Sequence, residues 1–569
     1  MTPNPRKVLA EKTLERESYS PFPEGYVKGK TKYVIVTGSV MSGVGKGTFS
    51  GALCTLLSCH GLKISPVKFD GYINFDAGTL NPFRHGEVFV LQDGTECDLD
   101  LGSYERALHR NLTKDNYLTG GKIFKIIIDK ERAGKYLGRD VQFIPHVTGE
   151  IKYFLRNLAM KSGADIVLVE VGGTVGDLEN SYFVEAMREL RHEEGQSNVM
   201  FVNVTYIIEP GSLREHKSKA AQIGFRQLMA LGVQPDMIIC RSQTPITNSV
   251  ADKISVFANV PPERVYNLYD FSNVYEIPLI LRGIGLDAEL FKIFGIAPRE
   301  NHDSLMNFDN WENFVEKIKN AKKEISVGIV GKYTNVHDSY LSIIKSLEHA
   351  APYFSASVKI KWIESTDIED EKISAEEALK GFDGIIVPGG FGKRGIEGKI
   401  QAIKYVRENN IPYLGLCYGL QLAVVEFARN VCGLKDANTA EVDPETECPI
   451  IDIIPDQDSN IENSRIGGTM RLGDYPAKLK PDSLARKLYG KDTVVERHRH
   501  RYELVHKFHK ILEEKGLVIS GTYEEKDLPE FIEIPGHRFF LATQAHAEFT
   551  SRPLQPNPMF LGFIEACVK

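Results

Sequence analysis

Short apolar runs alternate with segments of helical period along most of the chain. The first run, Tyr33-Val34-Ile35-Val36-Thr37, has the pattern of a buried strand. It passes into a glycine-rich stretch, 38–48, and then a helical pattern over 49–60. Further strands are predicted at 63–69, 166–169, 200–208 and 237–240. Between 298 and 324 the pattern changes. This stretch is polar, with Phe308, Trp311, Phe314, Val315 and Ile318 at roughly helical spacing, so it predicts a linker carrying one amphipathic helix. The alternation then restarts, with strands at 326–331, 358–363, 384–387 and 411–416 and helices at 338–350 and 420–429. Strand and helix in alternation favour parallel sheets covered on both faces. The expected class is α/β, with two doubly wound, mainly parallel-sheet domains joined by a linker. The expected boundaries are an extension at 1–31, a first domain at 32–297, the linker at 298–324 and a second domain at 325–569.

The apolar run at 411–416 ends in Gly415-Leu416-Cys417-Tyr418-Gly419, and a helical pattern follows at once. This predicts a strand, a sharp bend and a helix, with one thiol at the bend. A glycine two residues to each side suits such an elbow, because side chains there would collide. A thiol at a helix N-terminus is also favoured as thiolate. Buried structural cysteines are common, but the glycines and the context point to a nucleophile. A nucleophilic cysteine needs a base, and His546-Ala547-Glu548 offers one. In an extended segment His546 and Glu548 share a face, so Glu548 can orient His546. The turn Pro388-Gly389-Gly390-Phe391-Gly392 carries backbone amides suited to an oxyanion hole.

The stretch Gly38-Ser39-Val40-Met41-Ser42-Gly43-Val44-Gly45-Lys46-Gly47-Thr48 joins a strand to a helix. Such a junction cradles phosphate with backbone N–H groups and the helix N-terminus, and Lys46 adds a point charge. It is a variant of the standard loop. Val40 stands at the usual first glycine, and Gly47 separates Lys46 from Thr48. Lys68 and Asp70 end the second strand. Acids recur at Asp76, Glu87, Asp93, Asp98 and Asp100, and the strand at 166–169 runs into Glu170. An acid at a strand's C-terminal edge, facing a phosphate loop, suits magnesium, so Asp100 and Glu170 are candidate ligands. Arg214, Lys217, Lys219 and Lys253 offer cations for a second polyphosphate.

Composition changes this picture little. The chain has 569 residues, 42% of them hydrophobic and 25% charged, enough for two to four domains with large cores. A net charge of -7 without a basic domain argues against a nucleic-acid binder. Eight scattered cysteines without a Cys-x-x-Cys pair suggest neither zinc nor a disulfide framework, and fit a reducing cytoplasm. There is no apolar run of membrane-spanning length, and residues 1–30 lack an apolar signal segment.

The motifs together resemble the CTP synthases from about residue 32 to the C-terminus. The matching stretches are Gly45-Lys46-Gly47, Tyr72-Ile73-Asn74, His85-Gly86-Glu87-Val88-Phe89-Val90, Asp98-Leu99-Asp100-Leu101-Gly102, 170–177, 388–392 and Arg497-His498-Arg499-His500-Arg501-Tyr502-Glu503. The resemblance implies a P-loop, dethiobiotin-synthetase-like amidoligase followed by a class I glutamine amidotransferase. ATP would phosphorylate the 4-oxygen of UTP, and ammonia from glutamine would displace that phosphate to give CTP. Cys417, His546 and Glu548 would be catalytic, with Gly389, Gly390, Phe391, Leu416, Gln421, Glu441 and Arg501 around glutamine. ATP would meet Ser42, Gly43, Val44, Gly45, Lys46, Gly47, Thr48, Lys68 and Asp100. UTP or CTP would meet Ser42, Gln142, Asp177, Glu179, Glu185, Lys217, Gln222 and Lys253. Mg2+ would lie among Asp70, Asp100 and Glu170. The family also implies GTP as activator, CTP as feedback inhibitor, and a homotetramer, a dimer of dimers, that stacks into filaments.

Some positions depart from the family's pattern. Ser39 replaces a glycine, Gly71 and Ala77 replace prolines, 217–222 lacks a Thr and a Pro, and Ala547 replaces a proline between His546 and Glu548. None removes an assigned charge or nucleophile, and each alters how firmly a loop is held. Two alternatives stay open at this point. One is another glutamine-dependent ATP amidoligase, against which 98–102 and 170–177 argue. The other is a catalytically silent filament protein, against which the intact set Lys46, Glu170, Cys417, His546 and Glu548 argues.

Overall fold

The computed structural model describes residues 19–136, 138–211, 215–271, 273–301, 303–332, 337–454 and 468–569. Arg214 and the first 18 residues of the N-terminal extension therefore lie outside the described residues. The chain forms two compact units: Met1–Asp76 with Ser103–Asn310, and Ala77–Gly102 with Trp311–Lys569.

The first unit is built on a seven-stranded sheet. Its strands are β1 (Lys32–Gly38), β2 (Ile64–Asp70), β3 (Tyr117–Thr119), β4 (Ile166–Val171), β5 (Val199–Tyr206), β6 (Met237–Ser242) and β7 (Val265–Tyr269). They lie in the order β3-β2-β4-β1-β5-β6-β7, and every pairing is parallel. Strands buried on both faces read as continuous apolar runs, which is why β1 and β4 were legible without alternation. One face packs Phe49, Leu53 and Leu57 of the helix Lys46–Cys59, and the other packs Ile151, Leu155 and Phe183. The loops after β1 and β4 share the C-terminal edge of two adjacent strands, the usual ligand position in open parallel sheets.

The second unit is built on a nine-stranded sheet: β8 (Lys323–Gly331), β9 (Ala356–Glu364), β10 (Gly384–Val387), β11 (Tyr413–Leu416), β12 (Arg471–Leu479), β13 (Thr493–His500), β14 (Val518–Tyr523), β15 (Leu528–Glu533) and β16 (Phe540–Thr543). Their order is β9-β8-β10-β11-β16-β15-β14-β12-β13. Pairings from β9 to β16 are parallel, and those beyond β16 are antiparallel. The sheet is thus mixed, with its antiparallel half formed late in the chain. The amphipathic helix of the linker spans Phe308–Lys319, with Trp311, Phe314 and Val315 buried.

Ala77–Gly102 packs in the second unit although it lies inside the 32–297 stretch. It contributes a short hairpin, Phe89–Val90 against Glu96–Cys97. Phe89 meets Phe549 with ring centroids 4.8 Å apart, and Arg497 donates to the Val90 carbonyl at 3.0 Å.

Candidate functional site

In the second unit, β11 delivers Cys417 to the N-terminus of the helix Tyr418–Asn430. Cys417 holds φ at 50° and ψ at -99°, a strained backbone for a residue with a side chain. The flanking glycines are required both by each other and by neighbouring elements: a Cβ on Gly415 would lie 3.0 Å from the Gly419 carbonyl carbon. A Cβ on Gly415 would lie 2.7 Å from the Ala542 Cβ, and one on Gly419 would lie 2.2 Å from the Val387 carbonyl oxygen. The elbow is therefore wedged between β10 and β16.

His546 and Glu548 follow β16. His546 Nδ1 lies 2.7 Å from Glu548 Oε1, and its ring stacks on Phe549 at 4.9 Å. Burial pushes the His546 imidazole down, but the Glu548 carboxylate and the Cys417 sulfur outweigh this and hold its pKa at about 10. Gly389 fits against both reacting side chains. A Cβ there would lie 2.9 Å from His546 Cε1 and 3.6 Å from the Cys417 Cβ. Gly389, Gly390, Phe391, Cys417, His546 and Glu548 all line one cavity of about 270 Å3.

The other residues assigned to glutamine are placed around this centre. Glu441 Oε1 accepts the Gly392 N–H at 2.7 Å, and burial raises its carboxyl pKa. Gln421 Nε2 donates to the Tyr502 carbonyl at 2.9 Å and to Gln544 Oε1 at 3.2 Å. Arg501 Nη1 donates to Thr469 Oγ1 at 2.9 Å. The Leu416 side chain is fully buried in the core.

Several contributors were not expected from the sequence. Lys332 Nζ donates to the carbonyls of Phe391 and Gly392, at 3.1 and 2.6 Å, and so pins the glycine turn. Arg499 lines the cavity and ties Ala77–Gly102 to it, donating to Glu96 Oε1 at 2.8 Å and to the Gly78 carbonyl at 3.2 Å. Both residues are distant in sequence from Cys417; Arg499 lies in the stretch 497–503 that carries the family resemblance, whereas Lys332 lies in none of the matching stretches.

In the first unit, β1 leads through the glycine-rich loop into the helix Lys46–Cys59. Val40, Gly43 and Gly45 have φ of 79°, 71° and 93°. These left-handed positions turn backbone N–H groups toward the loop's concave side. Gly45 caps the helix without a side-chain hydrogen bond, which suits an anion as the capping group. Lys46 Nζ donates to the Gly173 carbonyl at 2.7 Å, and Lys68 Nζ donates to Glu170 Oε1 at 2.8 Å. Tyr104 donates to the other Glu170 oxygen. Strand register sets Lys68 beside Glu170 and Asp70 beside Gly172, where a Cβ would lie 2.6 Å from Asp70 Oδ1. Two carboxylates on adjacent strand ends form a hard-oxygen donor set that fits magnesium. Asp100 belongs to the second unit, where its N–H bonds Asp98 Oδ1 at 3.0 Å.

Ser39, a departure from the family pattern, is accommodated. Its hydroxyl donates to Asn203 Oδ1 at 3.0 Å, and Gly224 leaves room for it, since a Cβ there would lie 2.5 Å from the Ser39 Cβ. Gly71 is likewise required, because a Cβ there would lie 2.7 Å from the Glu179 carbonyl. Arg241, also unexpected, lies over the loop, with Nε 3.3 Å from where a Gly45 Cβ would be.

Of the residues assigned to the second nucleotide, Ser42 lies in the loop after β1, and Asp177 and Glu179 lie in the exposed segment after β4. Lys217 Nζ pairs with Glu215 at 2.6 Å, and Lys217 and Lys253 together hold that carboxyl below its usual pKa. Gln222 Nε2 donates to Ser218 Oγ at 3.0 Å, and Glu185 pairs with Arg188. The Gln142 N–H donates to His146 Nδ1 at 3.1 Å.

The comparisons fit this geometry. The family model "CTP synthase N-terminus" matches residues 32–296, and "Glutamine amidotransferase class-I" matches residues 335–566. The CTP synthase of Thermococcus kodakarensis is 48% identical over 540 residues, covering 95% of this chain and 99% of the relative. That of Pyrococcus furiosus is 49% identical over 537 residues, covering 94% and 98%. Among solved structures, the Trypanosoma brucei CTPS glutaminase domain with bound acivicin is 38% identical, covers 43% of this chain and 94% of its own, and has a TM-score of 0.40. With identity near one half over almost its full length, the chain belongs to the CTP synthase family.

Proposed function

We propose that the chain aminates UTP to CTP, with ATP as the activating reagent and glutamine as the nitrogen source, and that its two units divide the work. The observation that carries this reading is the assembled site at Cys417, with His546 2.7 Å from Glu548 and Gly389 against both reacting side chains.

In the second unit the Cys417 thiolate attacks the glutamine amide carbon. Backbone amides of the Lys332-pinned turn at Gly389 and Gly390 stabilise the oxyanion. His546 gives its proton to the departing nitrogen as the C–N bond breaks. Water then hydrolyses the thioester, with His546 as base, and glutamate leaves. Glu441, Gln421 and Arg501 hold the polar groups of glutamine.

In the first unit the loop 42–48 and Lys68 hold the ATP phosphates, and Lys46 stabilises the transferring charge. The γ-phosphoryl group passes to the UTP 4-oxygen, which turns a poor leaving group into phosphate. Ammonia attacks C4 and phosphate departs. On the family resemblance Asp70, Asp100 and Glu170 are the residues assigned to Mg2+, which would supply neutralisation of phosphate charge. Ser42, Gln142, Asp177, Glu179, Glu185, Lys217, Gln222 and Lys253 surround UTP or inhibitory CTP. GTP activation, the homotetramer, filament assembly and a cytoplasmic location complete the proposal on the family resemblance.

The direct test is incubation with ATP, magnesium, ammonium and UTP. CTP should form, and its absence would overturn the reading. Glutaminase activity without CTP would favour a different amidoligase acceptor.

A further inference from the structure

The segment before the family match is built into the first unit. The family match begins at residue 32, yet residues 19–30 lie along the helices Thr148–Ser162 and Ser181–Glu194. Tyr19 donates its hydroxyl to Glu150 Oε1 at 2.6 Å, and Ser20 donates to Glu193 Oε1 at 2.8 Å. The Gly29 N–H donates to Glu194 Oε2 at 3.3 Å, and the Tyr26 and Tyr33 hydroxyls bond at 2.9 Å. The Phe22 ring lies 3.8 Å from the Arg156 guanidinium carbon. Arg156 is fully buried and is held by both Glu193 and Glu194. The segment thus covers a network of buried charges that would otherwise meet water.

One end of this strap reaches a residue assigned to the nucleotide. The Tyr19 ring packs 5.2 Å from His146 and 5.4 Å from Tyr136, and those two rings lie 5.2 Å apart. His146 Nδ1 in turn accepts the Gln142 N–H. The approach is close enough to require glycine at 149, where a Cβ would lie 2.6 Å from the Tyr19 carbonyl oxygen.

We infer that residues 19–30 form a strap in which Tyr19, through the His146 ring, is a positioning residue for Gln142 and so for binding of the pyrimidine nucleotide. The inference rests on the reading that Gln142 contacts UTP or CTP. A single aromatic ring is the lever. Tyr19 carries it to the base of the turn 142–147, and the ion-paired helices beneath fix where it stands. Removing the ring leaves His146 free to turn and lets the Gln142 backbone move with it.

The test uses the full chain with ammonium as nitrogen source, so that glutamine chemistry does not enter. Tyr19→Ala should raise the KM for UTP about five- to tenfold while kcat stays within about twofold, because a small misplacement weakens binding without removing a reacting group. Tyr19→Phe keeps the ring and should stay near the parent KM. A chain lacking residues 1–30 should match Tyr19→Ala, and the CTP inhibition constant should rise in parallel. Gln142→Ala separates the inference from its basis. If Gln142→Ala raises the KM and Tyr19→Ala does not, the strap has no positioning role. If Gln142→Ala changes nothing, the placement of the nucleotide fails and the inference fails with it. A fall in kcat and thermal midpoint at constant KM would show a merely structural strap and overturn the proposal.

Discussion

Cys417 and Lys46 stand at the same kind of place, the bend where a parallel strand enters its helix, yet the two bends are built in opposite ways. At Cys417 the strained φ of 50° falls on the residue with the side chain, and the glycines lie two residues away, where β10 and β16 press close. At the other bend the left-handed positions are Val40, Gly43 and Gly45, all before Lys46, and the lysine itself opens a regular helix. A nucleophile needs one side chain held rigidly against its base, so strain is placed on that residue. A phosphate cradle needs backbone N–H groups, so the unusual conformations spread over several loop positions, two of the three being glycines. The charges differ too. In the proposed roles, His546 and Glu548 already form the pair that catalysis would use, whereas Lys46 and Lys68 are bonded to Gly173 and Glu170 and would exchange these partners for phosphate.

Substitutions can break this contrast. The largest effect is expected for Cys417→Ala. Glutamine-dependent CTP formation should fall by about 10⁵–10⁶, as for other lost nucleophiles. Ammonia-dependent formation should stay within about twofold, since Cys417 touches no reacting group of the proposed synthesis step. Loss of both activities would mean that the units are not separable.

Glu548→Gln should come next, with a loss of about 10³–10⁴ in glutamine hydrolysis because His546 loses its orienting anion. The pH profile adds a sharper readout. Glu548 raises the His546 pKa toward 10, so its removal lowers that pKa and should move the alkaline limb of glutaminase activity to lower pH. An unmoved limb would contradict the pairing.

Lys46→Ala should depress synthesis from both nitrogen sources alike, by about 10²–10³, as expected for one lost preorganised donor. A loss confined to glutamine would reverse the assignment of the two bends.

The smallest effect concerns stability. Lys399 is fully buried with its Nζ 5.8 Å from the Tyr418 ring centroid, that Nζ has no hydrogen-bond partner among the described residues, and burial pulls its pKa from 10.5 to about 7. Because the unfolded chain keeps its proton up to a higher pH, this group makes stability rise as pH climbs from about 7 toward 10.5. Lys399→Met should stabilise the fold at pH 7 by about 1–3 kcal/mol, the cost of an unpartnered buried polar group. The gain should shrink at pH 9 in urea denaturation. An equal gain at both pH values would contradict the burial argument.

Much of this was legible because it is local. The elbow at Cys417, the loop before Lys46 and the amphipathic helix at 308–319 each announce themselves within about 15 residues. The part of the role of Gly415 and Gly419 that other strands impose was not, since the contacts with Ala542 and Val387 come from β16 and β10. Nothing local in 77–102 shows that Glu96 pairs with Arg499, some 400 residues on. In the sequence, the stretch Arg497-His498-Arg499-His500 is legible only as part of the family resemblance. Arg497, His498 and His500 are buried on β13, because β12 and β15 supply strand partners and Glu530, which no local pattern reveals. The antiparallel half of the second sheet was missed for the same reason.

The central claim is that Cys417 supplies nitrogen for chemistry carried out by the unit that holds Lys46. Supplying the intact chain with glutamine labelled with 15N at the amide, together with UTP, ATP and magnesium, tests it most directly. The label should appear at the 4-amino group of CTP, and Cys417→Ala should acquire label only from 15N-ammonium. Label in free ammonia with none in CTP, or label from glutamine in the Cys417→Ala product, would contradict it.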